Sequence, residues 1–424
     1  MNRGLIQSAL AWTVVMAAGT ASRVSGVQLW SDPDTRRSGD LNITGKWTSL
    51  ASHNPDDPIL YPATDTLTEL LRLRLGLKAH WAEQLDTEIA YEQRARWVST
   101  SLATASSPLP PDTRVPYRIV QLDGSIGHTE RLTYRHEMDR ALAAFHRSWG
   151  DVTIGRQAIG LGRGVVFRVV DLFAPFLPLD VDREWRRGVD AVRVEHTFSD
   201  TGSIEALGVF GETWEQSALL GRVRGYVGQI DGEFLLGKRA QDTLVAGVVS
   251  TTVGDAEVHA ELALFETPDL HPEDRLFGGG HHATTAVAGA SYTFNLGKGL
   301  TVLGEYYYNG FGERDTSDLS VRLTDPAFQT RLARGDMLTL GQEALALQVS
   351  YPFNESLQGA FLVLGNPADG SGLAVPSLTW DIGVRSRLLA QMTLPWGDGP
   401  IGGQIRSEYG STPMSLFVQW AMYW

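Results

Sequence analysis

The chain contains no cysteine among its 424 residues. That excludes a disulfide framework, thiolate-ligated zinc or iron–sulfur centres, and a lipidated N-terminal cysteine. It also lacks an apolar run of the roughly 20 residues that a membrane-spanning helix needs. The N-terminal stretch Leu5–Ala18 is too short for that. With Arg3 ahead of it and Gly19-Thr20-Ala21 behind, it reads as a secretory signal peptide over 1–21, with cleavage as late as 26. Positive charge is in deficit: 36 Lys and Arg against 49 Asp and Glu give a net −13, so no nucleic-acid partner is implied. There is no Gly-x-Ser-x-Gly elbow, no His-Glu-x-x-His and no phosphate-cradling glycine loop. No catalytic residue and no cofactor is therefore assigned, and the chain reads as a non-enzyme.

What the sequence has in quantity is strict alternation. In 67–81, Leu71, Leu73, Leu75, Leu77, Ala79 and Trp81 share one parity; Arg72, Arg74, Gly76, Lys78 and His80 share the other. A helix would scatter these positions, whereas a strand sorts them onto two faces. The next run sets Ile89, Tyr91, Ala95 and Trp97 against Glu88, Glu92, Arg94 and Arg96. Only Glu83-Gln84-Leu85 separates the two, a hairpin length. The pattern recurs, with charge on one face and aliphatic or aromatic side chains on the other. One such strand suits a soluble sandwich, but many in series suit a barrel with a wet interior and a lipid exterior.

The expected fold is all-β: a transmembrane antiparallel β-barrel of about 18 strands. They fall near 41–51, 67–81, 86–98, 132–147, 151–158, 189–198, 203–211, 218–227, 231–239, 242–252, 255–266, 284–294, 299–308, 342–352, 356–365, 373–383, 386–395 and 413–424. Segment 22–40 precedes the barrel as an N-terminal periplasmic segment, and 41–424 is the barrel. Tight turns alternate with long connections, as short periplasmic turns and long extracellular loops do. The connection at 240–241 is short for the long-loop side, which leaves 16 strands as the alternative count. The last strand carries Met414, Leu416, Val418, Trp420, Met422 and Trp424 on one face. Left open, that strand would be an aggregation-prone edge, and closure onto the first strand removes it.

One connection is not an ordinary loop. Residues 159–188 are apolar in patches (Phe167, Phe173, Phe176, Leu177) and dense in charge. Their number predicts a functional loop, and the reading is that it turns into the lumen and narrows it. Around it stand Gly155-Arg156-Gln157-Ala158-Ile159-Gly160-Leu161-Gly162-Arg163-Gly164, the run Asp171-Leu172-Phe173-Ala174-Pro175-Phe176, and Arg187-Gly188-Val189-Asp190-Ala191. Late in the chain come Pro376-Ser377-Leu378-Thr379-Trp380, Leu394-Pro395-Trp396-Gly397 and Ser407-Glu408-Tyr409-Gly410. Together these segments resemble Gram-negative outer-membrane porin-like β-barrels related to the alginate-export and phosphate-porin groups. The resemblance implies an outer-membrane channel, passive or substrate-selective, in contact with outer-membrane lipid. The final strand ending in Trp424 resembles the signal read by the barrel-assembly machinery.

In a pore, selectivity follows the sign and placement of lining charges and the width. The pore-lining candidates on the wall are Arg72, Arg74, Arg94, Arg96, Arg193, Arg222 and Arg224, opposite Glu257, Glu261 and Glu305. The infolded loop adds Arg163, Arg168, Asp171, Asp180, Asp182, Arg183, Glu184, Arg186 and Arg187. Arg156 shares parity with Val152 and Ile154, which aims it at lipid; a bulge at Gly155 is expected to turn it inward. Arg140, between Met138 and Leu142, poses the same problem without an evident solution. No metal is assigned: His281-His282 near His271 reads as a solvated loop pair, and Asp180, Asp182 and Glu184 fit no calcium-loop spacing. The expected solutes are small molecules, anionic or dipolar. A docking barrel for a periplasmic secretion or electron-transfer partner and an outer-membrane enzyme stand as alternatives. A homo-oligomer is left open.

Overall fold

A computed structural model describes residues 26–32, 34–100, 115–271 and 279–424. The signal peptide expected over 1–21 lies outside them. The strands are β1 (Val27–Asp32), β2 (Arg37–His53), β3 (Asp65–Trp81), β4 (Leu85–Val98), β5 (Asp123–His128), β6 (Leu132–Arg147), β7 (Gly150–Gln157), β8 (Val189–Ser199), β9 (Gly202–Phe210) and β10 (Ala218–Val227). They continue as β11 (Ile230–Arg239), β12 (Asp242–Val253), β13 (Ala256–His271), β14 (Gly280–Phe294), β15 (Leu300–Asn309), β16 (Glu343–Pro352), β17 (Leu357–Gly365), β18 (Gly372–Ile382), β19 (Ser386–Trp396) and β20 (Met414–Tyr423). Eighteen of these form one closed antiparallel barrel, each pairing with its sequence neighbour. β20 pairs back onto β2 from Thr44↔Tyr423 to His53↔Met414, and Trp424 exchanges both backbone bonds with Ile43. Closure leaves the barrel wall without the edge that the C-terminal strand would otherwise present.

β1 and β5 are additions to the ring. β1 pairs with the first residues of β2, so part of the segment expected ahead of the barrel is strand. β5 pairs with Thr133–Glu137 of β6, while β7 pairs with Ala141–Arg147. Thus β5 continues the wall where β7 stops and the chain turns inward. The short turn Ala240-Gln241 does join β11 to β12, and the count stays at 18.

Alternation places the outer belt where the sequence predicts it. Leu71, Leu73 and Leu75 are exposed, whereas Arg72 and Arg74 between them are buried. The same holds for Leu262 and Leu264 around Ala263, and for Leu416 and Trp420 around Phe417. Such a belt is stable against hydrocarbon because closed strands leave no backbone group unpaired there.

The register of β6 explains Arg140. Ala90 pairs with Arg140 and Tyr91 with Met138, so Asp139 is an extra residue, a β-bulge. Parity reverses across it. Glu137, Asp139 and Arg140 all reach the interior, and Arg140 bonds the Asp139 carboxylate at 2.7 Å and the Arg186 carbonyl. No register shift occurs at Gly155, where a bulge was expected. Gly155 has φ +112°, and a Cβ there would strike the Ala141 carbonyl. Arg156 stays opposite Ala141 and Asp190. It is shielded by pairing with Asp190 at 2.7 Å and by donating to the Met138 and Val120 carbonyls. It braces the wall against the segment before β5 and does not line the lumen.

Much of the lumen is dry. Inward residues from β8 to β18, among them Leu207, Leu235, Leu244, Val248, Phe265 and Leu303, form one hydrophobic cluster with the infolded loop. The loop contributes Ile159, Leu161, Val166, Phe167, Val170, Leu172 and Phe173. A second connection, 310–342, also reaches this cluster through Phe311, Phe328 and Met337. It carries helices α1 (Leu319–Arg322) and α2 (Pro326–Arg334). Asp325 caps α2 by accepting from Ala327 N, Pro326 opens it, and Gly335 in the left-handed region closes it.

Candidate functional site

The infolded loop is pinned at both ends of its span. At its root, Glu305 of β15 accepts from the amides of Val165, Val166 and Phe167 at 2.7, 3.0 and 2.8 Å. His259 of β13 pairs with the same carboxylate at 2.9 Å. Glu261 of β13 accepts from the amides of Arg163, Gly164 and Val170. Both carboxylates are nearly inaccessible. They were expected to line an acidic wall; they lie beneath the loop and hold its backbone. Phe167 stacks on Tyr307 with ring centroids 4.9 Å apart, which seats the root on β15.

Across the lumen, Asp182 meets Lys46 and Arg72 at 2.7 Å each. Glu184 pairs with Lys46 at 2.6 Å and accepts from the Tyr423 hydroxyl. These partners sit on β2, β3 and β20, so the loop crosses the barrel from β13 and β15 to its closing seam. Burial works against the charge, but Lys46 and Arg72 hold the Asp182 carboxyl well below the usual range. Trp185 lies under Lys46, with the cation 4.0 Å from its ring centroid, and under Arg74 at 4.9 Å. Within the loop, Arg186 clamps Asp171 at 2.5 Å and ties its two limbs together. Arg183 donates to the carbonyls of Leu177, Pro178 and Asp180. Burial, with Arg168 nearby, pushes the Arg183 guanidinium down to about 10.

A cavity of about 350 Å³ lies between the loop and the β3–β4–β6 wall. Its two sides differ. The loop offers Ala174, Pro175, Phe176, Leu177 and Val181, and Tyr117 and the C-terminal end of α2 close it over. The wall offers an interleaved ladder. Arg72 pairs with Glu92 at 2.8 Å, Arg94 with Glu137 at 2.8 Å, and Arg74 with Asp139 at 2.7 Å. Arg187 from the loop reaches Glu137 at 3.4 Å, and the fully buried Arg118 reaches it at 2.6 Å. The cavity is lined by Arg72, Arg74, Arg94, Arg187 and Arg334 against Glu92, Glu137, Asp139, Asp180 and Asp182. The two signs are equal in number and alternate in space, so the wall is a dipolar surface and not a basic one. Burial raises the Asp180 carboxyl, which also accepts from Leu177 N.

The other predicted arginines stand away from this cavity. Arg193 pairs with Glu205 at 2.9 Å, Arg222 with Glu205 at 2.5 Å, and Arg224 with Glu195 at 2.5 Å. Arg163 leaves the loop to meet Asp231 at 2.5 Å. Arg168 donates to the Gly164 carbonyl within the loop. Arg96 and Glu257 are half-buried on inward faces of β4 and β13. Asp182 and Glu184 share Lys46, whereas Asp180 accepts from Leu177 N. His281 bonds the Thr267 carbonyl, and the His271 side chain is outside the described residues.

The sequence reading overlooked several members of the site. Lys46, Glu137 and Asp139 are partners in many of the ion pairs that hold the loop and form the ladder. Lys46 and Asp139 had a usable signal, since Lys46 alternates with Trp47 and Asp139 with Met138; the bulge reverses parity only from Arg140 onward. The α2 network was also missed. Asp336 lies among Arg239, Arg331 and Arg334, and Asp242 pairs with Arg331 at 3.1 Å and Arg334 at 2.7 Å. Arg239 also donates to the Leu172 carbonyl, so α2 and the infolded loop share a tie.

No family model matches the chain, and no curated protein matches it. Solved structures match in fold. Acinetobacter baumannii OccAB1 superposes with a TM-score of 0.59 at 8% identity, covering 96% of this chain and 99% of that one. Acinetobacter baumannii OccAB4 gives 0.54 at 10% identity, over 91% and 98%. Pseudomonas aeruginosa OccK9 (OpdG) gives 0.54 at 9% identity, over 91% and 98%. At such identities the likeness establishes the fold alone: an 18-stranded antiparallel β-barrel.

Proposed function

We propose that the chain is a diffusion channel of a bacterial outer membrane and not an enzyme. Its solute path is the cavity between the infolded loop and the β3–β4–β6 wall. Solutes bearing both signs of charge pass in preference to simple anions. The observation that carries this is the alternating ladder Arg72–Glu92, Arg94–Glu137 and Arg74–Asp139, facing an apolar loop surface. Fixed charges at a constriction act with less screening than in bulk water, so an alternating wall orients a dipole without trapping an ion. Recording from purified protein in planar bilayers tests it. Discrete conductance with weak ion preference in a salt gradient is expected, together with faster liposome swelling in a zwitterionic solute than in an anion of equal size. Absence of channels at every voltage would sink the channel, and strong preference for either ion would sink the dipolar path.

A further inference from the structure

Below the constriction, on the same wall, four side chains of successive strands form a continuous chain near the tight-turn end. His80 Nδ1 lies 2.7 Å from Asp86 Oδ1. The other oxygen of Asp86 lies 3.3 Å from His146 Nε2, and His146 Nδ1 lies 2.8 Å from Asp151 Oδ1. They come from β3, β4, β6 and β7. Each occupies an inward position: His80 alternates with Trp81, Asp86 pairs across from His80, and His146 shares parity with Arg140 beyond the Asp139 bulge. All four are between about a third and a half exposed, so they meet the water of the lumen.

His146 has a particular seat: both of its ring nitrogens face carboxylate oxygens. A neutral imidazole has one donor and one acceptor, so one of those contacts then sets lone pair against lone pair. The protonated ring donates through both nitrogens and completes the chain from His80 to Asp151. The arrangement therefore fits the imidazolium better than the neutral ring. With both rings neutral, the four groups carry two negative charges; with both protonated, they carry none.

The surroundings do not swamp that change. Lys78 faces Glu88 at 3.9 Å and lies across from Asp40 on β2. On β8, Glu195 is taken up by Arg193 at 3.1 Å and Arg224 at 2.5 Å. Arg147 at the turn bonds Gln84, and His196 bonds the Trp149 carbonyl. These flanking charges nearly cancel, so the two histidines decide the sign at this mouth.

We propose that His80 and His146 form a second, proton-controlled selectivity element in series with the constriction, passing cations when the rings are neutral and anions more readily when they are charged. Its transport role rests on the channel reading; its titration does not. Histidine is the side chain whose ordinary pKa of about 6.5 places this change within physiological pH.

Two measurements test it. In bilayers with a salt gradient, the anion-to-cation permeability ratio is expected to rise about threefold between about pH 8 and about pH 5, the scale of an exposed charge interaction. In the double variant His80→Gln, His146→Gln most of that rise is expected to vanish; heat-modifiable migration on gels confirms that the variant folds. A variant that keeps the full rise, or a wild type that shows none, overturns the proposal. Independently, NMR of labelled histidine in micelles is expected to show the midpoint of the His146 ring falling in Asp151→Asn. A midpoint unmoved by that substitution overturns the ladder whether or not the protein conducts. Protein that does not conduct but retains the titration overturns the channel alone.

Discussion

Replacing Glu305 by alanine should loosen the root of the infolded loop without opening the barrel. Glu305 is the acceptor for three consecutive amides, Val165, Val166 and Phe167, and the partner of His259. A hydrogen bond to a charged group contributes roughly 1.5–3 kcal/mol, and an orphaned buried amide costs on the order of 1–3 kcal/mol. Three such losses, reduced for water that enters the space, amount to about 4 kcal/mol of local destabilisation. The barrel ladders do not pass through Glu305's side chain, so the wall should persist. The far end should stay tethered by Asp182, and Arg186 should still bind Asp171. The assay is single-channel recording: Glu305→Ala should show greater open-channel noise and a larger mean conductance. Glu305→Gln, whose amide oxygen still accepts, should fall between it and the native protein. If Glu305→Ala gives traces that match the native amplitude and noise, the clasp does not hold the filter and the reasoning fails.

Three further outcomes are expected. Asp182→Asn removes one negative charge from the cavity and leaves Lys46 and Arg72 with one carboxylate partner each, Glu184 and Glu92, so the reversal potential in a salt gradient should move toward anions; a shift toward cations contradicts the placement. Deleting part of 165–180 should raise conductance and lower the unfolding temperature, because these residues both narrow the lumen and fill the hydrophobic cluster; unchanged conductance would put the loop outside the path. Glu408 ties three external connections by accepting from Leu340 N and the Asn366 amide, and burial pushes its carboxyl up to about 7. The folded-state pKa lies above the unfolded value because burial penalises the ionised carboxyl, so the stability of this buried arrangement is whole below about pH 4.5 and falls as pH rises to about 7, on the order of 3 kcal/mol. Limited proteolysis of 397–413 should therefore be faster at neutral than at acidic pH in the native protein, and Glu408→Gln should abolish that difference.

The strands were legible because a closed barrel imposes one simple rule on every wall residue, and Leu71–Arg72–Leu73–Arg74 obeys it without exception. The inward turn of 159–188 was legible from its length and mixed composition. Three features were not. The Asp139 bulge shows in the sequence only as a misplaced Arg140, since nothing local distinguishes an inserted residue from a regular one. Glu261 and Glu305 sit at inward positions like any lining residue, and the amides they bind belong to a distant backbone with no side-chain signature. The third was legible in principle. Along β12, Leu244, Val245, Ala246, Val248 and Val249 are apolar at both parities. That is the mark of a strand buried on both faces. It announces the dry half of the lumen, which a search for outward apolar faces alone passes over.

That dry half divides the circumference by the kind of change each sector tolerates. From β8 to β18, where the strands pack against the infolded loop, an inward substitution meets a packed interior in which adding or removing a methyl group is felt as volume. From β2 to β6 an inward substitution meets water and an opposite charge, where volume is slack and sign is decisive. Descendants of this gene free to explore new solutes would accordingly vary along one arc of the barrel. They would hold the other arc nearly constant in shape.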